Sequence, residues 1–268
     1  MNHGLSYAAN CSLLFTEVPL LQRPAAAAAA GFTAVEFWWP WPDQATPADR
    51  EVDGFVAAVR DAGVDLIGLN FFAGDLAGPD CGMVSLPDRA GEFRDNVDVV
   101  VGIGQQLGVP AFNALYGNRV EDVSPTEQDD LATENLTLAA RAAAGIGATV
   151  LVEPVSGPKP YPLRTAADVV AVLDRVGVDN LGFLCDLFHL MNNGDDPAAA
   201  VAASAERIAH VQIADHPGRH EPGTGSLDLD SLLTQIERSG YQGRVALEYL
   251  PSTSTLDSLA WLPADRRG

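Results

Sequence analysis

The chain has 268 residues, more than one average domain but within the span over which an α/β barrel still closes around a single core. It carries 36 acidic against 16 basic residues, a formal charge of −20, which excludes the basic surface that a nucleic-acid partner requires. No apolar run reaches the roughly 18 residues of a spanning helix, so no membrane passage is expected. Cys11, Cys81 and Cys185 are too scattered for a disulfide framework or a zinc cluster.

The first residues lack a basic segment followed by a continuous apolar stretch, so no secretory signal is expected, and a cytoplasmic location with reduced thiols follows. Lys159 is the only lysine. Salt adaptation and genome composition both fit such an acidic, lysine-poor chain. A homo-oligomer is left open.

In chain order, a short apolar run at 5–9 precedes six alanines at 25–30, which close on Gly31 and predict a helix through the high helix propensity of Ala. A second run at 34–37 leads to a helix at 50–62, stopped by Gly63, and a third run at 64–70 leads to one at 88–107, stopped by Gly108. The fourth, 111–115, is followed by a helix at 126–144 ending at Gly145; the fifth, 149–153, by one at 165–176 ending at Gly177. Glycine just past a helix end is the usual stop signal. Runs six and seven, 181–186 and 208–213, precede a helix at 229–239 ending at Gly240, and an eighth run covers 245–249. Short apolar runs alternating with helical stretches read as repeated βα units over a parallel sheet. Eight of them predict a single-domain α/β fold, a (β/α)₈ TIM barrel. The tail of about 252–268 reads as a final helix and a loose end.

In such a barrel the active site lies at the carboxyl ends of the strands, so polar residues closing apolar runs are informative. Glu36, Asn70, Asn113, Glu153, Asp186, Gln212 and Glu248 all do so. Alternation along a strand puts Glu153 on the face of Leu151, Asp186 with Leu184, Gln212 with His210, and Glu248 with Ala246. If that face points inward, four oxygen-bearing side chains converge. Three carboxylates gathered without a cation resist ionising together, so a divalent metal is expected, and all-oxygen ligation suits Mg²⁺ or Mn²⁺.

His189, three residues past Asp186, belongs directly above the strand-six carboxylate and is a substrate-binding candidate. His210, two residues inside Gln212, reads as a core-layer histidine. His3, His216 and His220 carry little signal. The turn-rich loop 215–225 has glycines but no following Lys, so it is no phosphate-binding P-loop. Its Arg219 can take a carboxylate bidentately at the barrel mouth, and Lys159 is a lesser candidate for the same task. Asn70 completes the substrate-binding set.

At these residues the chain resembles the hydroxypyruvate isomerase family, among the xylose-isomerase-like barrels that include ketose 3-epimerases and endonuclease IV. The resemblance runs nearly full length and is carried by Ser12-Leu13-Leu14-Phe15, Gly31-Phe32, Val35-Glu36-Phe37, Asn70 with Ala73-Gly74-Asp75, Glu153-Pro154, Asp186 with His189, the stretch His210 to Asp215, Arg219 with Glu221 to Gly225, and Leu247-Glu248-Tyr249. It implies that Glu153, Asp186, Gln212 and Glu248 ligate the metal, that Glu153 and Glu248 exchange protons, and that His189 and Arg219 hold substrate. It also implies a role in carbohydrate and glyoxylate metabolism. Ketose 3-epimerases usually carry His at the Gln212 position, whereas the hydroxypyruvate isomerase branch resembles this chain. The loop Leu115 to Arg119 departs from the glycine-lysine pairing of some members.

The activity so implied is interconversion of hydroxypyruvate and tartronate semialdehyde through an enediolate, on a small-molecule hydroxy-oxo acid substrate. The same carboxylate pair could instead serve an epimerase or isomerase of a larger sugar or sugar acid. A barrel that binds a sugar acid without turnover is disfavoured by the presence of both Glu153 and Glu248, and a nuclease by charge and by the scarcity of histidine ligands.

Overall fold

In the computed structural model, which describes residues 2–268, eight parallel strands close into one barrel in sequence order. They are β1 (Tyr7–Asn10), β2 (Ala34–Phe37), β3 (Asp65–Asn70), β4 (Ala111–Asn113), β5 (Thr149–Val152), β6 (Leu181–Asp186), β7 (Ile208–Ile213) and β8 (Val245–Leu247), and β8 pairs with β1. The helices are α1 (Arg23–Ala29), α2 (Asp49–Ala62), α3 (Ala90–Leu107), α4 (Pro125–Ala144), α5 (Ala166–Val176), α6 (Leu187–Asn193), α7 (Pro197–Ser204), α8 (Leu229–Arg238) and α9 (Thr255–Ser258). The expected (β/α)₈ architecture is what forms. None of the helices in the described residues is long and apolar enough to cross a membrane.

The helices form where an apolar stripe meets a start signal. Ser124 and Thr165 cap α4 and α5 through side-chain oxygens that accept from Glu127 N and Asp168 N, while Glu127 and Asp168 bond back to the caps. Such caps satisfy amides that a helix start leaves open, each worth about 1 kcal/mol. Gly63, Gly108 and Gly177 close α2, α3 and α5 in the left-handed conformation, as their positions predicted.

The main core lies between barrel and helices, where Phe37, Phe55, Phe71, Phe93 and Phe112 are almost wholly buried and meet edge to face or tilted. Burying each such ring contributes roughly 1.5–3 kcal/mol. Inside the barrel a smaller apolar layer of Ala111, Leu151 and Leu184 fills the space beneath the strand ends. That layer confirms the inward face inferred for β5 and β6, so the residues two positions on point into the mouth.

Three strands end earlier than their apolar runs: β4 stops at Asn113, β5 at Val152 and β8 at Leu247, so Glu153 and Glu248 sit just past the sheet. Beyond β8 the tail comprises one α turn, α9, and a 3-10 turn at Ala264–Arg266. Its end is held to the body, because the Arg267 guanidinium donates to the carbonyls of Ala30, Leu259 and Leu262.

Candidate active site

The carboxyl-terminal mouth of the barrel holds a cavity of about 190 Å³. Trp38, Asn70, Lys159, His189, Arg219, Glu153 and Glu248 are among its lining residues. It is smaller than the ~300–1,000 Å³ typical of pockets for drug-sized ligands. Glu153, Asp186, Gln212 and Glu248 are each at most 5% exposed, as befits residues aimed into the mouth.

Each is oriented by a different device. Glu153 Oε1 accepts from Asn113 Nδ2 at 2.6 Å. Asp186 ends β6 and at once caps α6, its Oδ1 accepting from Phe188 N at 2.8 Å and His189 N at 3.1 Å. The strand therefore passes into a helix without a loop, and the other oxygen, Oδ2, is buried with no partner. Gln212 sits opposite Asp186 in the β6–β7 register. Its Nε2 donates to Glu36 Oε1 at 2.7 Å, which leaves Gln212 Oε1 buried and unpartnered. Glu248 is gripped at both oxygens: Trp38 Nε1 donates to Oε1 at 2.5 Å and Arg219 Nη2 to Oε2 at 2.9 Å.

The electrostatics follow from that crowding. Burial, reinforced by Glu248 and Asp186, pushes the Glu153 carboxyl well above the usual carboxylate range. Burial also raises Asp186, although Arg219 works against it. Burial lifts Glu248 to about 7, with Asp186 adding to the rise and Arg219 opposing it. Such like charges cannot all ionise together without a cation.

The donor set fits a hard divalent ion. Asp186 Oδ2 and Gln212 Oε1 are buried acceptors with empty lone pairs, which costs about 1–3 kcal/mol apiece when nothing binds them. One oxygen or nitrogen each of Glu153, Asp186 and His189 lie within 4.8 Å of one another, a grouping able to hold a metal ion. His189 is nonetheless the weaker ligand of the three. Its Nδ1 accepts from the Ser156 backbone N–H at 3.0 Å, so Nε2 carries the proton and faces Asp186 Oδ2 at 3.6 Å as a donor. Burial, together with Arg219, pulls its pKa down to about 3, keeping the ring neutral.

Arg219 is built into place by its loop. The buried Asp215 carboxylate collects the backbone N–H groups of His216, Gly223, Gly225 and Leu227. Gly225 is required there, since a Cβ would lie 2.1 Å from the His216 carbonyl oxygen. Arg219 itself adopts a left-handed φ of 57°, a conformation that non-glycine residues rarely hold. Its guanidinium lies 5.5 Å from the Phe188 ring centre. Lys159, in the β5–α5 loop, reaches the β3–α3 loop, where its ammonium donates to the carbonyls of Leu76 and Asp80. Asn70, at the end of β3, faces the same cavity.

Several participants were missed by sequence reasoning. Trp38 follows β2 in an aromatic run that gives no sign of a donor aimed at Glu248. Ser156 is an ordinary loop residue until its amide meets His189. Glu36 was visible as a strand-ending carboxylate, yet it lies beneath the cavity, where it accepts from Asn10, His210 and Gln212. His210 occupies the core layer expected of it.

Residues 24–264 match the family model described as xylose isomerase-like TIM barrel. The chain is 55% identical over 266 residues to the "putative hydroxypyruvate isomerase" of Streptomyces coelicolor, covering 96% of this chain and 95% of that protein. It is 33% identical over 260 residues to the 2-oxo-tetronate isomerase of Cupriavidus necator, with 96% of each chain covered. Among solved structures, a Brucella melitensis protein described as an AP endonuclease, family 2, superposes with a TM-score of 0.87 at 33% identity, over 96% of this chain and 98% of that one.

Proposed function

This chain belongs to the xylose isomerase-like TIM barrel family, in its hydroxypyruvate isomerase branch, and from that premise we propose that it interconverts hydroxypyruvate and tartronate semialdehyde with the help of a bound divalent metal. The coarser statement, an isomerase of short hydroxy-oxo acids, accords with the names of both relatives, since 2-oxo-tetronate is a four-carbon acid of the same kind. The observation that carries the reading is the pair of unpartnered buried acceptors, Asp186 Oδ2 and Gln212 Oε1, beside two glutamates. Glu153, Asp186, Gln212 and Glu248 would hold Mg²⁺ or Mn²⁺, which when bound polarises substrate oxygens and stabilises their developing negative charge.

The chain's own residues account for the proton movements. Hydroxypyruvate and tartronate semialdehyde differ by exchange of a carbonyl and a hydroxyl between C2 and C3. One carbon proton must leave C3, another must arrive at C2, and a hydroxyl proton must pass from one oxygen to the other. An enediolate lies between. Glu153 and Glu248 would take and return the carbon-bound proton; in the metal-free cluster burial raises both carboxyls above the usual carboxylate range. Trp38 and Arg219 fix the rotamer of Glu248, and Asn113 that of Glu153. His189, neutral with its proton on Nε2, donates to a substrate oxygen, and Asn70 adds a polar wall.

The name of the Brucella structure raises a nuclease reading, which a charge of −20 opposes because phosphate backbones demand a basic surface. The test is conversion of hydroxypyruvate by protein supplied with Mn²⁺, followed by removal of the metal. Turnover that needs the ion supports the reading, and its complete absence in metal-replete protein overturns it.

A further inference from the structure

Two cations face the cavity, and their surroundings differ. Arg219 sits inside the carboxylate cluster: Glu248, Asp186 and Glu153 all raise its pKa against the effect of burial, and one Nη is bonded to Glu248. Its charge is answered by the Glu248 carboxylate, although its Nε is buried without a partner. Lys159 stands at the opposite extreme. In a chain with 36 acidic residues its ammonium forms no ion pair among the described residues; it rests on two backbone carbonyls, those of Leu76 and Asp80. In that loop the Asp80 carboxylate is engaged elsewhere, accepting from Arg89 Nη1 at 3.2 Å and from the Asp75 amide at 2.9 Å.

We propose that Lys159, and not Arg219, receives the substrate's carboxylate, through the one ammonium N–H left after Leu76 and Asp80 are satisfied. The proposal rests on the reading above that the substrate is a short acid. An ammonium has three donors, and two are committed to fixed acceptors, so the third has a set direction. Pro158 and Pro160 flank Lys159 and stiffen its backbone, and the Pro160 carbonyl accepts from Arg119 N at 2.9 Å. The accepting loop is equally braced, with Asp75 Oδ1 taking the Ala77 and Gly78 amides and Asn118 Nδ2 donating to the Pro79 carbonyl. Much of the ordering cost of holding a flexible lysine is thus met before substrate arrives. Around it the wall is apolar, built from Leu76, Leu115, Val155 and Pro158. An unanswered positive charge on an apolar wall favours an anionic end group and gains nothing from a neutral sugar.

The experiment measures equilibrium binding to full-length, Mn²⁺-supplied protein of two unreactive or slow probes of equal carbon number: glycerate, which is anionic, and dihydroxyacetone, which is neutral. Lys159→Met keeps the stem and removes the charge; Lys159→Arg keeps the charge. Glycerate binding should weaken by about tenfold or more in Lys159→Met, as loss of a charge-assisted hydrogen bond implies, while dihydroxyacetone binding stays within about threefold and Lys159→Arg stays near the parent for both. Because the readout is binding, parent protein that holds glycerate but fails to isomerise hydroxypyruvate would refute the isomerase reading and leave this assignment standing. Equal weakening of both probes would show Lys159 to be only a latch between loops, and would overturn the proposal. So would glycerate binding within about threefold of the parent in Lys159→Met, or a parent that binds glycerate no better than dihydroxyacetone.

Discussion

Gln212 donates its amide nitrogen to Glu36 at 2.7 Å, and the bond dictates which end of the Gln212 amide faces the cavity. Glu36 is an acceptor only, already serving Asn10 and His210, so the Gln212 nitrogen must turn down toward it and the carbonyl oxygen must turn up. A residue beneath the cavity thereby orients the oxygen proposed to hold the metal above it. In Glu36→Gln the replacement amide can present a donor to one of these three donors, and Gln212 loses its bias. Mn²⁺ affinity, measured by calorimetry, should fall by roughly 10–100-fold, the usual cost of disturbing a group that orients a ligand. Unchanged affinity in a folded variant would show that Glu36 does not orient Gln212.

Glu153→Gln and Glu248→Gln preserve size and remove basicity. Each should lower kcat by roughly 10²–10⁴ while circular dichroism shows the barrel intact. Near-normal turnover in both would refute the assignment of proton transfer to this pair.

Arg219 acts through Glu248, so its removal should be felt mainly in kcat. Arg219 also works against the raised pKa of Glu248, and without it that pKa climbs further. The acidic limb of the kcat profile should therefore move to higher pH in Arg219→Ala, with Arg219→Lys in between because it keeps charge but loses the planar fork. A pure rise in KM for anionic substrate, with the limb unmoved, would instead make Arg219 the carboxylate anchor.

The buried carboxylates also set how metal-free protein responds to pH. Glu248 has its folded pKa raised from the ordinary 4.5 to about 7, chiefly by burial, so folding favours its protonated form. Its contribution to stability is fully present below pH 4.5 and is lost as pH rises toward 7. In chelator, the Tm of the parent relative to Glu248→Gln should fall across that window, and Mn²⁺ should reverse the trend by replacing the protons. Glu153 and Asp186 titrate with Glu248 as a group, so the fall should be broad. A Tm difference that stays flat with pH would contradict the electrostatic picture of the cluster.

The barrel was legible because its signals are local. Eight apolar runs, glycine stops and strand-end carboxylates each depend on neighbours in sequence, and the alternation rule carried Asp186 and Gln212 to adjoining positions across β6 and β7. What stayed hidden depends on contacts far apart in the chain. The Trp38 indole meets Glu248 across 210 residues, and the Lys159 ammonium meets Leu76 across 83. No periodicity encodes such meetings. Arg219 shows the same limit: the sequence marked it as a cation at the mouth, but the partner that occupies it, Glu248, became visible only once the barrel closed β8 against β7.

The most direct test of the account is a single assay of substrate preference and metal need. Hydroxypyruvate and free neutral ketoses are offered to the parent protein with Mn²⁺ and again after chelation, and formation of tartronate semialdehyde or of the epimerised sugar is followed. Hydroxypyruvate should be converted with the higher kcat/KM, and chelation should lower its turnover on the order of tenfold or more. Preference for a neutral ketose, or full hydroxypyruvate turnover in protein shown to be free of metal, would contradict it.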